Sequence, residues 1–367
     1  MKKNILILLL TFLVSFALKA QKGECGTNEG TIPYIFSKAK QDSINSVLAI
    51  NTPYCIRVYI TVFADNDGTN RAATDADILR QFQNMVNQYQ PHNICFMLIN
   101  IKQVNNTDLN THNYDTESSE VSPYVQSGCL NIFLHNYLDS NDGTLNGVAY
   151  GIPSTILSEA SWAIESTTNI STMGHEAGHC LSLYHTFSTS FGAENVTRNP
   201  ANSCYDCDAD GDLLCDTPAD KLSDPDDDVN SSCLYIGGRT DACGVVYTPM
   251  TNNMMAYGFR PCRDTFTSGQ GNRMRSAIVG TPALTALINE DIKNSPSSNN
   301  SLVLWNNNEG FETARDALYI SNFTNDGYSV TGSAVRRFIS KKVYLKPGTH
   351  FYPTTGKVHV KTNPYCN

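Results

Sequence analysis

The segment 171–187, STMGHEAGHCLSLYHTF, constrains this chain most, because its three histidines and one glutamate are spaced to serve one divalent metal. His175 and His179 are four residues apart, so on a helix both imidazoles lie on one face and can bind one zinc ion. His185 is six residues beyond His179, so the helix must end and turn back before this third ligand arrives. Glu176 lies beside the ligand face, where its carboxylate can act as general base towards a water that the metal activates.

The first twenty residues and the cysteine content indicate an exported protein. Lys2 and Lys3 precede an apolar run, which predicts a secretory signal peptide over residues 1–20 rather than an N-terminal membrane anchor. No later run approaches the ~20 apolar residues of a membrane-spanning helix. Twelve cysteines favour an oxidising compartment and a disulfide framework. We therefore expect a secreted chain whose mature form has no membrane span.

The charge distribution argues against one class of partner. The formal net charge is −9, acidic residues concentrate within 206–228, and no basic block in the sequence offers a phosphate-binding face. This pattern argues against nucleic acid and favours bound cations.

We call residues 171–187 the metal segment. Local patterns ahead of it predict an α/β domain with a mixed sheet. The predicted elements are a strand over 55–64, a helix over 74–89 capped by Thr74, and strands over 94–101 and 129–134. A strand, a helix and a second strand in this order indicate a parallel pair with a crossover. Cys55 and Cys95 start the first two strands and are therefore placed to form a disulfide.

The region after the metal segment, residues 188–249, is rich in Asp, Asn, Gly and Cys. Six cysteines between Cys204 and Cys262 predict three local disulfides of unknown pairing, and a zinc site of four cysteines is the alternative. Within this region the segment 208–220, DADGDLLCDTPAD, places carboxylates and hydroxyls around a glycine. These residues suit either a calcium site or a solvated acidic loop.

Four motifs occur in a characteristic order: HEAGHCLSLYHTF, GDLLCDTPAD, NNMMAYG and FTSGQGNRM. They resemble motifs of the pappalysin and cytophagalysin-like (ulilysin-like) metzincins, over about residues 55–274. The resemblance implies a metzincin-like split catalytic domain of α/β (α+β) class with a mixed sheet and a zinc helix. It also implies a zinc-dependent endopeptidase that hydrolyses proteins or peptides. Ser182 stands where that family has glycine, and Ala256 where it often has aspartate.

The resemblance assigns roles to individual residues. It implies zinc ligation by His175, His179 and His185, with Glu176 as general base. Met255 becomes the Met-turn residue beneath the metal. Tyr257 becomes a hydrogen-bond donor to the tetrahedral intermediate, its alternative being a buried core tyrosine. Asp212, Asp216 and Thr217 become calcium ligands, which favours calcium over a solvated loop.

The segment GECGT around Cys25 resembles the cysteine-bearing element of prosegments in such enzymes. There the thiolate occupies the open zinc position and keeps the enzyme latent. A structural disulfide is the alternative, and the even number of cysteines favours it.

These features predict the following organisation: a signal peptide at 1–20, a short prosegment at 21–50, the metzincin-like catalytic domain at 51–290, a linker at 291–301, and a small all-β module at 302–367 that ends near Cys366. Two other functions stay open. One is a secreted, metal-stabilised binding or adhesion protein without catalysis, which intact Glu176 and Tyr257 argue against. The other is a zinc hydrolase that acts on non-peptide amides.

Overall fold

The computed structural model describes residues 24–30, 53–221, 228–295, 303–306, 308–320 and 328–366. The predicted signal peptide, residues 31–50 of the predicted prosegment and most of the predicted linker lie outside these ranges. Within the described ranges, no helix is both long enough and apolar enough to cross a membrane.

A mixed eight-stranded sheet forms the framework of the first part of the chain. Its strands are β1 Glu24–Cys25, β2 Tyr54–Ala64, β3 Ile94–Asn105, β4 Thr111–Asn113, β5 Leu130–His135, β6 Tyr137–Ser140, β7 Gly143–Ala149 and β8 Ile156–Ala160. They lie in the order β3-β2-β5-β8-β7-β6-β4, and β1 pairs with β7. Strands β3, β2, β5 and β8 are parallel, whereas β7 runs antiparallel to β8. The predicted mixed sheet and parallel first pair are confirmed.

Helices flank both faces of this sheet: those that carry Met85, Ala177 and Ala277 pack on one face, and the short helix with Leu109 packs on the other. They are α1 Asp75–Tyr89, α2 Thr107–Asn110, α3 Tyr114–Glu117, α4 Ser161–Glu165, α5 Thr172–Cys180, α6 Ser268–Gly280 and α7 Pro282–Thr285, with 3₁₀ turns at Gln90–His92, Ser118–Tyr124 and Arg260–Cys262. The side chain of Thr74 caps α1 as predicted, accepting a hydrogen bond from the backbone N–H of Asp77. The phenol of Tyr89, at the end of α1, donates a 2.7 Å hydrogen bond to Gly174 O in α5. Helix α1 thereby holds the metal-segment helix in position over the sheet.

The predicted Cys55–Cys95 disulfide is wrong. The two residues do lie side by side in the β2–β3 register, but Cys95 is bonded to Cys366, 271 residues later in the sequence. Cys55 is a free thiol with its Sγ 2.6 Å from Cys366 Sγ. Cys366 therefore bonds to Cys95 in place of Cys55. The pairing of β2 with β3 does not by itself predict this, because Cys366 is distant in the sequence.

Residues 188–249 contain no helix or strand in their described part and are held instead by disulfides. The three predicted local bridges are present, which makes the alternative four-cysteine zinc site wrong. They are Cys204–Cys243, Cys207–Cys215 and Cys233–Cys262. Each closes a loop and so lowers the entropy of the unfolded chain where apolar burial is scarce.

The C-terminal module is a triangular parallel β-solenoid of three coils. Its strands are β9 Ile292–Ser295, β10 Val303–Asn306, β11 Glu309–Thr313, β12 Ala317–Ile320, β13 Tyr328–Gly332, β14 Val335–Ser340, β15 Lys342–Leu345, β16 Thr349–Pro353 and β17 Lys357–Thr362. Every third strand pairs in parallel, giving the sheets β9-β12-β15, β10-β13-β16 and β11-β14-β17. The predicted all-β module is confirmed. Its first strand, β9, falls inside the stretch predicted as linker, and the exact domain boundaries stay a prediction.

The solenoid packs on the sheet face opposite to helices α1, α5 and α6. Ile339 and Phe311 on its third sheet join a buried cluster with Tyr59 and Met97 of β2 and β3. The Cys95–Cys366 disulfide links the two parts covalently beside this cluster. The module is therefore anchored to the sheet by apolar burial and by a disulfide.

A buried histidine pair lies on the same opposite face, away from the metal segment. His135 is fully buried; its Nδ1 donates to Leu109 O at 2.5 Å, and its Nε2 accepts from the Ser158 hydroxyl at 2.9 Å. The His112 ring stacks on it at 4.6 Å between centroids. Burial, with a smaller effect of the neighbouring His112, lowers the pKa of His135 to about 3.

This pair predicts a loss of stability in acid. The unfolded His135 takes up a proton near its ordinary pKa of about 6.5, whereas the folded residue stays neutral until about pH 3. The neutral His135 therefore makes its full contribution to the free energy of unfolding above pH 6.5. This contribution decreases below that pH, by about 2 kcal/mol at pH 5. Denaturant unfolding at pH 7 and pH 5 should show a shallower pH dependence for His135→Gln than for the unchanged chain. Equal slopes in the two proteins would contradict this expectation.

Candidate metal centre

The metal-segment helix ends in the turn that the third histidine requires. Helix α5 stops at Cys180, and Ser182 takes a left-handed backbone with φ of 80°. The backbone N–H of Leu183 returns to Gly178 O at 2.9 Å, so the chain reverses beneath the helix. Serine thus adopts the conformation expected of glycine, at a cost of about 1–2 kcal/mol. The departure from the family pattern leaves the turn intact.

Three imidazole nitrogens meet at one point. The Nε2 atoms of His175, His179 and His185 are 3.2 Å apart in all three pairs. A triangle with these sides has a centre about 1.8 Å from each corner, so a cation near its axis reaches zinc–nitrogen distances of about 2.0–2.1 Å. All three side chains are buried.

The opposite ring nitrogens show which tautomer is present. The Nδ1 atom of His175 donates to Met254 O at 2.6 Å, and that of His179 donates to Leu183 O at 2.8 Å. The Nδ1 atom of His185 donates to a carboxylate oxygen of Glu29 at 2.9 Å. Each Nε2 is therefore unprotonated in the neutral ring. Three lone pairs directed at one point repel one another unless a cation lies between them, so the residues fit a bound zinc ion.

Burial keeps the first two histidines in the neutral form that metal binding needs. Burial is the largest influence on both, and the neighbouring imidazoles act in the same direction. Together they hold the pKa of His175 well below its ordinary value and lower the pKa of His179 to about 3.

Glu176 lies beside the three nitrogens without joining them. It is almost fully buried, and burial raises the pKa of its carboxyl to about 7. A side chain at Gly147 on β7 would not fit, because a Cβ there would lie 2.8 Å from Glu176 Cγ. Glycine at this position of the sheet therefore makes room for the carboxylate.

Met255 lies against the metal-segment helix, and Tyr257 lies beside the His185 ring. Met255 is buried against α5, where a Cβ on Gly178 would come within 2.7 Å of its Sδ. The Tyr257 ring lies 5.0 Å from the His185 ring, centroid to centroid. Burial raises the pKa of Tyr257 well above its ordinary value, so the phenol keeps its proton and can donate a hydrogen bond.

The segment around Cys25 crosses the front of the cluster. Strand β1 pairs in parallel with β7, and the N–H of Gly26 donates to Gly147 O at 3.0 Å. Cys25 Sγ lies 3.5 Å from His179 Nε2 and 3.3 Å from Glu176 Oε2. The Cys25 thiol is free, so the alternative disulfide is not formed. Its sulfur and the three histidines form one group whose ligand atoms all lie within 4.8 Å of one another.

Two further residues of this segment hold the site and were missed in the sequence. The hydroxyl of Thr27 donates to Glu176 Oε2 at 2.9 Å. Glu29 accepts hydrogen bonds from His185 N at 2.7 Å and from the Ser188 hydroxyl at 2.6 Å, besides its contact with His185 Nδ1. Burial alone would raise the pKa of Glu29, but its bonds to His185 lower it to about 2. A carboxylate four residues after Cys25 was the signal available in the sequence.

The predicted calcium ligands are only partly brought together. Asp212 and Thr217 are fully buried, and Asp212 Oδ2 and Thr217 Oγ1 have no hydrogen-bond partner among the described residues. Asp216 is exposed instead, and its carboxylate accepts from Gly269 N at 2.6 Å at the start of α6. Glu194, which we did not predict from the sequence, is buried beside Gly211, the residue before Asp212. The contact is close: a Cβ on Gly211 would lie 2.5 Å from Glu194 Oε2.

The carboxyl groups of Glu194 and Asp212 are buried close to each other, and the pKa of each is raised. Burial, with a smaller effect of the nearby Asp212, raises the pKa of Glu194 to about 9, against the effect of Arg198. Burial also raises the pKa of Asp212 to about 7. Two buried carboxyls with raised pKa values favour a cation between them, because a divalent ion offsets both the desolvation and the mutual repulsion.

Together, the mixed sheet, the zinc helix, the third histidine after a left-handed turn and the methionine beneath define a zinc metallopeptidase of the metzincin class. Comparisons with known proteins agree. Residues 115–279 match the profile of the Peptidase_M43 family, described as pregnancy-associated plasma protein-A. This segment contains the three histidines, Glu176, Met255 and Tyr257. Over this segment the chain is similar to the pappalysin family, peptidase M43.

Individual relatives show how far the similarity extends. The chain is 26% identical over 295 residues to an extracellular metalloprotease of Colletotrichum graminicola, covering 74% of this chain and 95% of that protein. It is 31% identical over 160 residues to pappalysin-1 of Mus musculus, covering 40% of this chain and 9% of that protein. Among solved structures, mature mirolysin of Tannerella forsythia in complex with a cleaved peptide matches at 20% identity with a TM-score of 0.46. That match covers 65% of this chain and 99% of that one.

Proposed function

We propose that this chain is a secreted zinc endopeptidase that cleaves proteins or peptides, with His175, His179 and His185 as zinc ligands. The observation that carries the proposal is the convergence of three unprotonated Nε2 atoms, 3.2 Å apart, beside the buried carboxylate of Glu176. Secretion is supported by the apolar N-terminal run, by the four disulfides, and by relatives named extracellular metalloproteases.

Each residue has a distinct part in the proposed reaction. When bound, zinc polarises the scissile carbonyl and lowers the pKa of a water molecule. Glu176 would take a proton from that water and later deliver it to the leaving amine. Tyr257 donates a hydrogen bond to the carbonyl oxygen as negative charge develops there. Met255 supports the ligand helix from below.

The described form is proposed to be latent. Cys25 would supply the fourth zinc ligand in place of water. Thr27 and Cys25 both form hydrogen bonds to the Glu176 carboxylate. Glu29 holds the segment in place through hydrogen bonds from His185 and Ser188. Burial and Glu176 raise the pKa of the Cys25 thiol, so a thiolate in this place depends on a cation beside it. Activation then requires removal of residues 24–30 from the cleft.

A calcium ion is proposed at Asp212 and Thr217, with Glu194 as the third oxygen ligand and Asp216 at the edge of the site. The support is the pair of buried oxygens without partners, Asp212 Oδ2 and Thr217 Oγ1, because a buried oxygen without a partner is costly and a hard cation satisfies it.

Calcium should therefore stabilise the protein independently of zinc. Adding calcium to the zinc-loaded, calcium-free protein should raise the melting temperature by roughly 5 °C at saturating concentration. Glu194→Gln should remove most of this increment. Asp216→Asn should remove less, since that carboxylate already accepts hydrogen bonds from α6. A melting temperature indifferent to calcium would contradict the proposed site.

The peptidase activity is tested by incubating the processed protein with a protein-derived peptide library, with and without a zinc chelator. Mass spectrometry should find new termini within peptide bonds that disappear with the chelator and return with zinc. A protein that binds zinc fully yet cuts no peptide would favour the alternative of a metal-stabilised binding protein. Hydrolysis restricted to small non-peptide amides would favour the other zinc hydrolase reading.

A further inference from the structure

The last coil of the solenoid has a charge opposite to that of the chain as a whole. Residues 327–367 hold seven of the chain's 26 Lys and Arg residues and none of its 35 Asp and Glu residues. Five of the seven, all lysines, fall within residues 341–362. These residues form the terminal coil of the solenoid, which we name the basic coil.

The cations of the basic coil are exposed lysines. Lys342 on β15 and Lys357 and Lys361 on β17 are exposed. By contrast, Arg336 is buried, and Arg337 forms a 2.7 Å ion pair with Glu309. The available positive charge therefore lies on flexible ammonium groups and not on guanidinium forks.

Flat aromatic rings accompany these lysines. Tyr344 is 42% exposed and stacks on Tyr319 with 4.7 Å between centroids and 9° between planes. Tyr352 is 68% exposed and stacks on His350 at 5.9 Å and 16°. The Lys346 ammonium lies 4.7 Å from the Tyr319 ring centre, at the corner between the two aromatic pairs. Tyr319 thus lies beside a cation, and Tyr344 and Tyr352 each keep part of an aromatic ring open to solvent.

We propose that the basic coil binds an acidic polysaccharide, a sugar polymer that carries carboxylate or sulfate groups, and so holds the peptidase on glycan-rich surfaces. The repeated anions of such a polymer meet the lysines, and the C–H faces of its sugar rings pack on the exposed tyrosine rings. The module packs on the sheet face opposite to the zinc helix, so a polymer bound to its terminal coil lies away from the metal centre.

The same observations argue against other anionic partners. An anionic membrane selects a surface with its apolar groups on one side, whereas Tyr344, Tyr352 and Val360 lie on three different sheets of the solenoid. A nucleic acid also carries repeated anions, and the oligonucleotide among the probes below tests it directly. End-to-end pairing of two basic coils is opposed by their like charge.

Binding is measured with the full-length Glu176→Ala chain, which removes self-cleavage from the experiment. The probes are polygalacturonate for carboxylates, dextran sulfate for sulfates, neutral dextran, phosphatidylglycerol vesicles and a single-stranded oligonucleotide, at about 0.15 M salt. We expect binding to one or both acidic polysaccharides and none to neutral dextran. Absence of binding to both acidic polysaccharides, or tighter binding to vesicles or oligonucleotide, would overturn the proposal.

Two sets of variants locate the binding surface. The triple variant Lys342→Gln, Lys357→Gln, Lys361→Gln should bind roughly tenfold more weakly. The matched control, Lys102→Gln, Lys221→Gln, Arg239→Gln, removes the same charge elsewhere and should bind unchanged. Equal losses in the two triple variants would assign binding to net charge and overturn the proposal. Tyr352→Ala should also weaken binding, and an unchanged affinity would overturn the assignment to a sugar polymer. Unaltered melting temperatures verify that the variants are folded.

Discussion

Glu176→Ala should abolish peptide cleavage while leaving zinc bound. The carboxylate lies beside the three histidine nitrogens but is not one of the converging ligand atoms, so its loss removes the base and leaves the metal site intact. We expect kcat/KM of the trimmed form to fall roughly 10³- to 10⁴-fold, with one zinc per chain by elemental mass spectrometry.

His179→Ala is the matched control, because it removes one of the three Nε2 atoms from the same helix. It should lose both zinc and activity. If Glu176→Ala lost zinc as completely as His179→Ala, the glutamate would be a ligand and its assignment as general base would be wrong.

Cys25→Ala should activate the unprocessed protein. Its sulfur lies within 4.8 Å of all three histidine ligand atoms and 3.3 Å from Glu176 Oε2, so it occupies the place where substrate and water must enter. Its removal should raise the activity of the untrimmed chain at least about tenfold, which corresponds to only about 1.4 kcal/mol of lost inhibition. Thr27 and Glu29 remain to hold the segment, so activation should stay below that of the trimmed form.

The control for this prediction is Cys129→Ala, which removes a buried free thiol on the sheet face away from the metal centre. It should leave latency unchanged. Trimming beyond Cys25 should give equal activities for the unchanged chain and for Cys25→Ala. An untrimmed Cys25→Ala chain as inactive as its parent, or a Cys25 found in a disulfide by mass spectrometry, would refute the switch.

The residues of the metal centre were predictable because their spacing is local. Four residues along a helix place His175 and His179 on one face whatever the rest of the chain does. The third ligand needed a turn, and Ser182 adopts the left-handed backbone that the pattern requires even without glycine. Helix α1 was equally readable, since Thr74 caps it and its apolar period is regular.

Contacts between distant segments were not predictable in this way. The sequence around Cys95 does not indicate that its disulfide partner is Cys366 and not Cys55. Glu194 approaches Asp212, and Glu29 approaches His185, only because loops fold across the site. Such contacts join residues that are far apart in the sequence, and they form only when the whole chain is folded. The spacing of residues within one segment therefore does not predict them.

The solenoid shows the same division. Alternating apolar residues and turns in residues 302–367 determined that the module would be built of strands. Whether each strand pairs with its neighbour or with the third strand along is a matter of register between coils, which only the folded chain decides. That register places residues 341–362 at one end of the module as the basic coil. The sequence alone therefore determined the chemistry of the metal site, whereas tertiary packing decided what covers it, what braces it and which surface the module presents.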